Sequence, residues 1–228
     1  MNVEELNWPD LPTVSVGSPD QQEGRHDQEP SVTRYKRQHR ALLDAVGRLL
    51  GEQGYEKTTV AQVVADAKMS KRTFYEHFES REACLIELLQ RVCLSMARNL
   101  IRTAEEHSDS EPLEMVSALL GTEVATMRTG SQLAGALFGV SRMGISQRLA
   151  IADYEAQSLF GRIFAVAAIR MGSELPFDQL EMTACQLNYA LGVRVHLSPK
   201  VKLDLPAIAV MWCQALGLSE AFRSVSST

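Results

Sequence analysis

Apolar residues recur at the spacing of an α-helix along nearly all of the chain from residue 33 onward, and this spacing constrains the fold more than any other feature. The clearest example is the stripe of Leu42, Ala45, Val46, Leu49 and Leu50, at positions i, i+3, i+4, i+7 and i+8. No segment alternates apolar and polar residues for long enough to predict a convincing strand. We therefore expect an all-helical (all-α) protein whose helices end at glycine and proline.

The same spacing divides the chain into a tail and two helical domains. Residues 1–32 contain four prolines and many acidic and amide side chains without sustained periodicity, and we expect a disordered acidic tail. Residues 33–81 predict one longer helix and two short ones. Residues 82–228 form the second domain, and from residue 81 the expected helices cover about 81–106, 112–127, 132–143, 147–171, 177–197 and 205–216.

The net charge of −5 at pH 7 conceals a segregation of charge along the chain. Residues 1–32 carry seven acids and one arginine, a net charge of −6, and residues 82–228 carry fifteen acids and twelve basic residues, a net charge of −3. Residues 33–81 carry ten lysines and arginines and six acids, a net charge of +4. One short basic segment on an acidic protein is typical of a compact DNA-contacting module.

Two short helices joined by a tight link follow the first helix of this basic segment. Thr59 and Gln62 have the spacing of a capping box, and Ser70 is a suitable N-cap for the next helix. Phe74 and Phe78 lie four residues apart and predict the buried face of that helix. This pattern predicts a helix-turn-helix, whose second helix enters the major groove. The side chains left pointing outward are Lys71, Arg72, Thr73 and Tyr75.

The segment TVAQVVADAKMSKRTFYEHFESREACL, residues 59–85, resembles the signature of the tetracycline-repressor (TetR) family of transcription regulators, and EQGYEKTT before it extends the resemblance. The resemblance implies a three-helix, helix-turn-helix DNA-binding domain followed by a helical ligand-sensing and dimerisation domain. It also implies that Thr59 caps its helix. At the DNA it implies groove contacts from Lys71, Arg72 and Thr73, next to Ser70, and phosphate contacts from Thr59, Tyr75, His77 and Arg81. For His77 a packing or capping role is equally open.

One position departs from the family pattern. Lys68 stands in the turn where the family usually has glycine. A non-glycine residue with positive φ carries a steric cost of about 1 kcal/mol or slightly more, so the turn either bears that strain or bends differently. A lysine at this place could also reach a DNA phosphate, which would partly offset the strain.

Residues 82–228 contain no motif of catalysis or metal binding, so we expect no enzyme, no cofactor and no metal site. The four cysteines lack CxxC spacing and are interpreted as small core residues: Cys84, Cys93, Cys185 and Cys213. No export signal is recognisable. The longest uncharged apolar stretch, residues 205–219, is shorter than the roughly 20 residues of a membrane span, so we expect a cytoplasmic protein without a membrane partner.

Flexible and aromatic apolar side chains are frequent in the second domain, and they suit a cavity for a largely apolar small-molecule effector. Taken singly, each of them fits an ordinary helical core better. Asn188 is a polar candidate for orienting the ligand, although it could equally hydrogen-bond a neighbouring helix. The apolar candidates are Met96, Met115, Phe138, Met143, Phe160 and Phe164.

A single helix-turn-helix reads only a few base pairs, so we expect a homodimer on near-palindromic double-stranded DNA, with half-sites about 34 to 36 Å apart or a multiple of this. The last two helices are apolar and sparsely charged. They predict the dimer interface, unless they merely close the core of one subunit: Leu187, Leu191, Ile208, Met211, Trp212 and Leu216. We expect a ligand-responsive repressor. An activator of the same fold or a helical interaction protein that does not bind DNA is the alternative.

Overall fold

The computed structural model describes residues 7–9, 28–129, 133, 136–137, 139–140, 146–197 and 202–218. Every regular element in these ranges is a helix, which confirms the all-helical fold expected from the sequence. The helices with defined bounds are α1 (Gln28–Gln53), α2 (Val60–Asp66), α3 (Lys71–His77), α4 (Arg81–Glu106), α5 (Pro112–Thr129), α6 (Gln147–Arg170), α7 (Phe177–Leu197) and α8 (Leu205–Ala215).

The helix bounds follow the apolar spacing of the sequence closely. The main difference is at α1, which begins at Gln28, inside the predicted tail. Pro30 lies in its first turn, where the backbone N–H groups have no acceptor within the helix, so a proline is tolerated there. The helix predicted at residues 132–143 lies mostly outside the described residues; residues 133, 136–137 and 139–140 are helical.

The described residues fall into two compact units. The α1–α3 unit consists of those within Pro12–Val92 and Gln132–Ala152, and the α5–α8 unit consists of those within Met1–Leu11, Cys93–Ser131 and Asp153–Thr228. Both α4 and α6 contribute residues to each unit. The domain boundary expected between residues 81 and 82 stays a prediction.

The core of the α1–α3 unit is built on the apolar stripe of α1. Leu42, Ala45, Val46 and Leu50 are buried, and Leu49 is partly exposed. The stripe is backed by α2, which packs against both α1 and α3. Burial of the stripe supplies the hydrophobic stabilisation that two helices of seven residues cannot supply by themselves.

The α5–α8 unit is held together by α5, which packs against α7 and α8. The ring of Phe164 on α6 lies against Trp212 on α8, with 4.7 Å between the centroids. α6 also approaches α7 closely at Gly161, where a Cβ atom would overlap the Cys185 Sγ and lie 2.8 Å from the Glu181 carbonyl oxygen. Within the described part of the chain, no helix is both long and apolar enough to cross a membrane.

Candidate DNA-binding surface

The two short helices begin at side-chain caps, as the sequence predicts. The Gln62 amide nitrogen donates to the Thr59 Oγ1 at 3.3 Å, and the Thr59 amide nitrogen donates to the Gln62 Oε1 at 3.0 Å. This reciprocal pair is a complete capping box. At α3 the Thr73 amide nitrogen donates to the Ser70 Oγ at 3.0 Å. The caps fix where each helix starts and therefore which side chains face outward.

The turn between α2 and α3 has the left-handed backbone that the family pattern implies. Lys68 has a φ of 55°. Its amide nitrogen donates to the Ala65 carbonyl at 3.2 Å, and the Met69 amide nitrogen donates to the Val64 carbonyl at 2.8 Å. These two bonds form a Schellman motif with Lys68 at the position that favours glycine. The turn therefore keeps the usual geometry and bears the strain rather than bending differently.

α3 turns its two phenylalanines inward and its polar residues outward. Phe74 and Phe78 are buried, whereas Lys71, Arg72 and Tyr75 are exposed, the Tyr75 residue by 57%. Thr73 is partly exposed, and its hydroxyl lies 2.9 Å from the Ser70 Oγ. Lys71, Arg72, Thr73 and Tyr75 thus lie on the accessible side of a helix that the aromatic pair anchors.

Arg72 is a highly accessible cation of this face, with its side chain 90% exposed. Its Nε donates to the Glu76 Oε1 at 3.0 Å, one helical turn further along. An exposed pair of this kind contributes only about 0.3 to 0.5 kcal/mol. The guanidinium can therefore leave Glu76 for a base edge or a phosphate at little energetic cost.

His77 lies in an aromatic cluster rather than alone on the surface. Its ring centroid is 4.1 Å from that of Tyr35 and 5.4 Å from that of the buried His39, whose Nε2 lies 2.6 Å from the Glu87 Oε1. Burial, reinforced by the charge of His39, lowers the pKa of His77. The structure gives His77 the packing surroundings that were left open, and its phosphate contact stays a prediction.

Arg81 also has partners within the protein. One guanidinium nitrogen donates to the Thr58 carbonyl at 2.7 Å and to the Tyr55 carbonyl at 3.3 Å, and the guanidinium lies 4.0 Å from the centroid of the Tyr55 ring. These contacts join the start of α4 to the loop between α1 and α2. The Arg81 side chain is partly exposed, and its phosphate contact stays a prediction. Its present contacts position the start of α4.

The predicted effector residues that the structure describes all lie in the α5–α8 unit and are buried: Met96, Met115, Phe160, Phe164 and Asn188. Phe138 and Met143 lie outside the described residues. A cavity of about 260 Å³ in this unit brings Met115 together with Arg170, Met171 and Trp8, and the Arg170 guanidinium lies 4.2 Å from the centroid of the Trp8 ring. The other four predicted effector residues do not line it.

Glu123, which was not among the residues predicted from the sequence, is fully buried on α5. The amide nitrogen of Asn188, in the orientation that satisfies both groups, donates to the two Glu123 carboxyl oxygens at 3.0 and 3.1 Å. Burial raises the pKa of Glu123 to about 8. The only signal in the sequence was an acidic residue inside the apolar run of α5, with Leu119, Leu120 and Val124 around it.

Three of the predicted dimer residues belong to the core of one chain, which corrects that prediction for them. Leu191, Trp212 and Leu216 are buried within the single subunit, so their side chains have almost no area left to bury against a second copy. Leu187 and Ile208 are partly exposed, and Met211 is 48% exposed. Amphipathic spacing identifies an apolar face, but it does not say whether that face packs inside the subunit.

Two of the four cysteines lie in the core, as predicted, and two lie at its edge. Cys84 and Cys213 are buried, and Cys93 and Cys185 are partly exposed. Burial raises the pKa of the thiol in all four, to about 12 for Cys93 and about 11 for Cys213, which disfavours the reactive thiolate. Among the residues that the structure describes, no group of three or more His, Cys, Asp or Glu is placed to hold a metal ion.

Comparison with known proteins supports this picture of the α1–α3 unit. Residues 42–88 match the family model described as "Bacterial regulatory proteins, tetR family". The HTH-type transcriptional regulator TcmR of Streptomyces glaucescens is 27% identical over 173 residues, 72% of this chain and 74% of its own length. The HTH-type transcriptional repressor DhaR of Mycobacterium sp. is 35% identical over 72 residues, 32% of this chain and 35% of its own length.

Some of the sequence matches cover only a small part of the relatives, and the similarity to solved structures concerns the fold. Three curated relatives are matched over only 19% to 35% of their own lengths. The crystal structure of the transcriptional regulator FadR from Bacillus subtilis, in complex with stearoyl-CoA, superposes with a TM-score of 0.60 at 16% identity, covering 78% of this chain and 97% of that one. The similarity to the tetR family of bacterial regulatory proteins thus lies in residues 42–88, the segment with the capped helices and the exposed basic face.

Proposed function

We propose that this protein is a ligand-responsive transcription regulator, most simply a repressor, that binds a near-palindromic operator as a homodimer. The observation that carries the proposal is the exposed basic face of α3, held in place by buried Phe74 and Phe78 within a tetR-family domain. TcmR and DhaR are named as HTH-type regulators of transcription, and DhaR as a repressor. Their names favour regulation over catalysis.

At the DNA, Lys71, Arg72 and Thr73 reach base edges and flanking phosphates in the major groove. Tyr75 donates its phenolic O–H to a phosphate, for which its exposure leaves room. Lys68 adds an ammonium group beside them. The other predicted DNA contacts come from the helix caps Thr59 and Ser70, from His77 at the end of α3, and from Arg81 at the start of α4.

Dimerisation uses the outward faces of α7 and α8. Met182, Tyr189 and Met211 are large apolar side chains that are about half exposed or more. Exposed apolar side chains on neighbouring elements are typical of an interaction surface. A two-fold arrangement of two copies then presents two α3 helices to successive major grooves, which explains why a near-palindrome is the expected operator.

The effector enters the α5–α8 unit, where Met96, Met115, Phe160 and Phe164 provide flexible and aromatic apolar contacts. Asn188 supplies a polar contact beside them. The solved FadR structure contains stearoyl-CoA, so a helical protein of similar fold can hold a ligand with a long apolar chain. Effector binding releases the operator because the effector prefers the arrangement of the units that does not fit DNA.

The test is an operator-binding titration. A duplex that binds the wild-type protein is first selected from random DNA. That duplex is then titrated in a gel shift at fixed salt with the wild-type protein and with Lys71→Ala, Tyr75→Phe and Arg102→Ala. Loss of the Lys71 contact should weaken binding about tenfold or more, and loss of one hydroxyl hydrogen bond about three- to tenfold. Arg102 is an exposed cation of the α5–α8 unit and serves as the control.

Salt dependence separates phosphate contact from other effects. If Lys71 neutralises a phosphate, its loss should reduce the slope of log K against log salt concentration by about 0.9. Arg102→Ala should leave both affinity and slope unchanged. Wild-type protein that binds no duplex at low salt, or a Lys71→Ala variant that binds like wild type, would refute the proposed role of α3.

A further inference from the structure

The burial of Glu123 in the α5–α8 unit is not explained by a contribution to stability. Its side chain has no solvent exposure, and within the described ranges no ion pair joins it to a lysine, arginine or histidine. Its hydrogen-bond partner is the amide of Asn188, a neutral group. A buried carboxyl without a cation is costly, and such groups are characteristic of binding sites.

The buried residues that lie close to Glu123 along α5, and to Asn188 along α7, are apolar. Leu119, Leu120 and Val124 are buried beside it on α5, and Leu191 is buried near Asn188 on α7. The nearest described polar pair along α5 is the hydroxyl of Thr122 with that of Thr103 on α4, 2.9 Å apart. Glu123 and Asn188 thus form one polar point in an apolar interior, the arrangement that fixes the orientation of a bound ligand.

Charged groups on the neighbouring helices are directed elsewhere. α8 carries no charged residue, and the other charged residues of α5, Glu114 and Arg128, are exposed. On α7, Glu181 accepts a hydrogen bond from Ser158 of α6, Asp178 and Arg194 are exposed, and His196 in the last turn is partly exposed. On the α4 segment of this unit the charged residues are also exposed: Arg98, Arg102, Glu105 and Glu106.

We propose that Glu123 and Asn188 form the polar anchor of the effector site and select effectors that carry a basic nitrogen. This proposal rests on the effector binding proposed above and narrows its chemistry. An ammonium group donates one N–H to the Glu123 carboxylate and a second to the Asn188 carbonyl oxygen, and a charge-assisted bond of this kind is stronger than a neutral one. A carboxylate on the ligand is repelled, and a hydroxyl gains only a neutral hydrogen bond.

Binding is coupled to the release of a proton. At pH 7 most of the Glu123 carboxyl is protonated, because burial raises its pKa to about 8. An amine enters as its ammonium form, Glu123 loses its proton to solvent, and the bound state contains an ammonium and a carboxylate. About one proton therefore leaves the protein for each amine bound, whereas binding of a neutral alcohol releases none.

Three ligands with a common apolar body test the anchor. The probes are 4-phenylbutylamine, 4-phenylbutan-1-ol and 4-phenylbutyrate, titrated by calorimetry at pH 7 in phosphate and in Tris. These buffers differ in ionisation enthalpy, so the difference in heat counts the protons released. We expect the amine to bind at least tenfold more tightly than the alcohol with release of about one proton, and the butyrate to bind most weakly.

Glu123→Gln is the decisive variant, and Glu114→Gln on the same helix is its control. In Glu123→Gln the affinities for amine and alcohol should become similar and proton release should disappear, while the alcohol still binds. Asn188→Ala should reduce the preference for the amine and keep proton release. Circular dichroism and gel-shift activity establish that each variant is folded, so a loss of amine binding is not mistaken for unfolding.

Several outcomes would overturn the proposal. These are an amine that binds no more tightly than the alcohol or the butyrate, an amine preference that survives in Glu123→Gln, and binding without proton release. A protein that binds its operator but none of the three probes would also overturn the amine anchor. The titrations contain no DNA, so their failure is distinct from a failure of operator binding in the Lys71→Ala experiment.

Discussion

Replacing Glu123 by glutamine is expected to stabilise the protein at neutral pH, by an amount that depends on pH in a defined way. Burial raises the pKa of the folded carboxyl from 4.5 to about 8, so the folded protein binds this proton more tightly than the unfolded chain does. The stability that protonation supplies is fully present below pH 4.5. It is lost progressively as the pH rises from 4.5 to 8, and it changes little above that range.

The magnitude follows from 1.36 kcal/mol for each pH unit between the two pKa values. From pH 4.5 to pH 7 the loss is about 3.4 kcal/mol, and above pH 8 it reaches about 4.8 kcal/mol. Glutamine has a similar volume, can hydrogen-bond to Asn188 and does not ionise. The variant should therefore be about 3 kcal/mol more stable than wild type at pH 7, which raises Tm by roughly 6 to 12 °C in a chain of this size.

Urea denaturation followed by circular dichroism at pH 5, 6, 7 and 8 measures this effect. The quantity of interest is the difference in unfolding free energy between Glu123→Gln and wild type at each pH, because other titrating groups contribute equally to both. That difference should grow by about 1.4 kcal/mol for each pH unit. The exposed control, Glu114→Gln, should show no such growth. A difference that stays constant from pH 5 to pH 8 would refute the reasoning.

Three other substitutions test the caps, the turn and the dimer surface. Thr59→Ala should cost about 1 kcal/mol of unfolding free energy in urea, and a loss below about 0.3 kcal/mol would contradict the capping role. Lys68→Gly should leave stability unchanged or raise it by up to about 1 kcal/mol, because relief of the left-handed strain exceeds the entropic cost of glycine. It should also lower the salt slope of DNA binding by about 0.9, and an unchanged slope would exclude a phosphate contact. Met182→Glu with Met211→Glu should give monomers in sedimentation velocity, whereas Ile151→Glu, an equally exposed apolar site, should not; dimers in the double variant would exclude this surface.

The helices and the candidate DNA-binding face could be predicted because their signals are local. The stripe on α1, the Thr59 and Ser70 caps and the spacing of Phe74 and Phe78 depend on residues within two turns of one another. α1 began earlier than predicted, because Glu29 and Pro30 before residue 33 lack apolar periodicity but are compatible with a first helical turn.

The features that the sequence did not reveal depend on contacts between distant segments. Trp212 was assigned to a dimer face because its helix is apolar, but Phe164, 48 positions earlier, packs against it inside one subunit. Arg81 was assigned to DNA, yet the backbone carbonyls of Tyr55 and Thr58 accept its hydrogen bonds. In neither case does the spacing along the chain reveal which partner the side chain meets.

The cost of ionising the buried carboxyl also limits the free energy that the charge of an amine can contribute to a change between the two arrangements of the regulator. At pH 7, which is one unit below the pKa of about 8, ionising Glu123 costs about 1.4 kcal/mol. A hydrogen bond to a charged group contributes about 1.5 to 3 kcal/mol, so the bond to Glu123 leaves at most about 1.6 kcal/mol in favour of binding before the bond to Asn188 is counted. Moving a regulator almost entirely from one arrangement to the other requires about 5.5 kcal/mol of differential affinity.

The part of the remaining 4 kcal/mol or so that the Asn188 bond does not supply must come from apolar contact, which corresponds to at most roughly 160 Å² of buried surface at 25 cal/mol per Å². The buried methionines and phenylalanines of the α5–α8 unit are the side chains that can provide it. Methylammonium has the charge but almost none of the surface, so it should leave operator binding unchanged at matched ionic strength. 4-Phenylbutylamine should release the operator in the same gel shift. Release by methylammonium would show that charge alone suffices, and it would contradict this division of the binding energy.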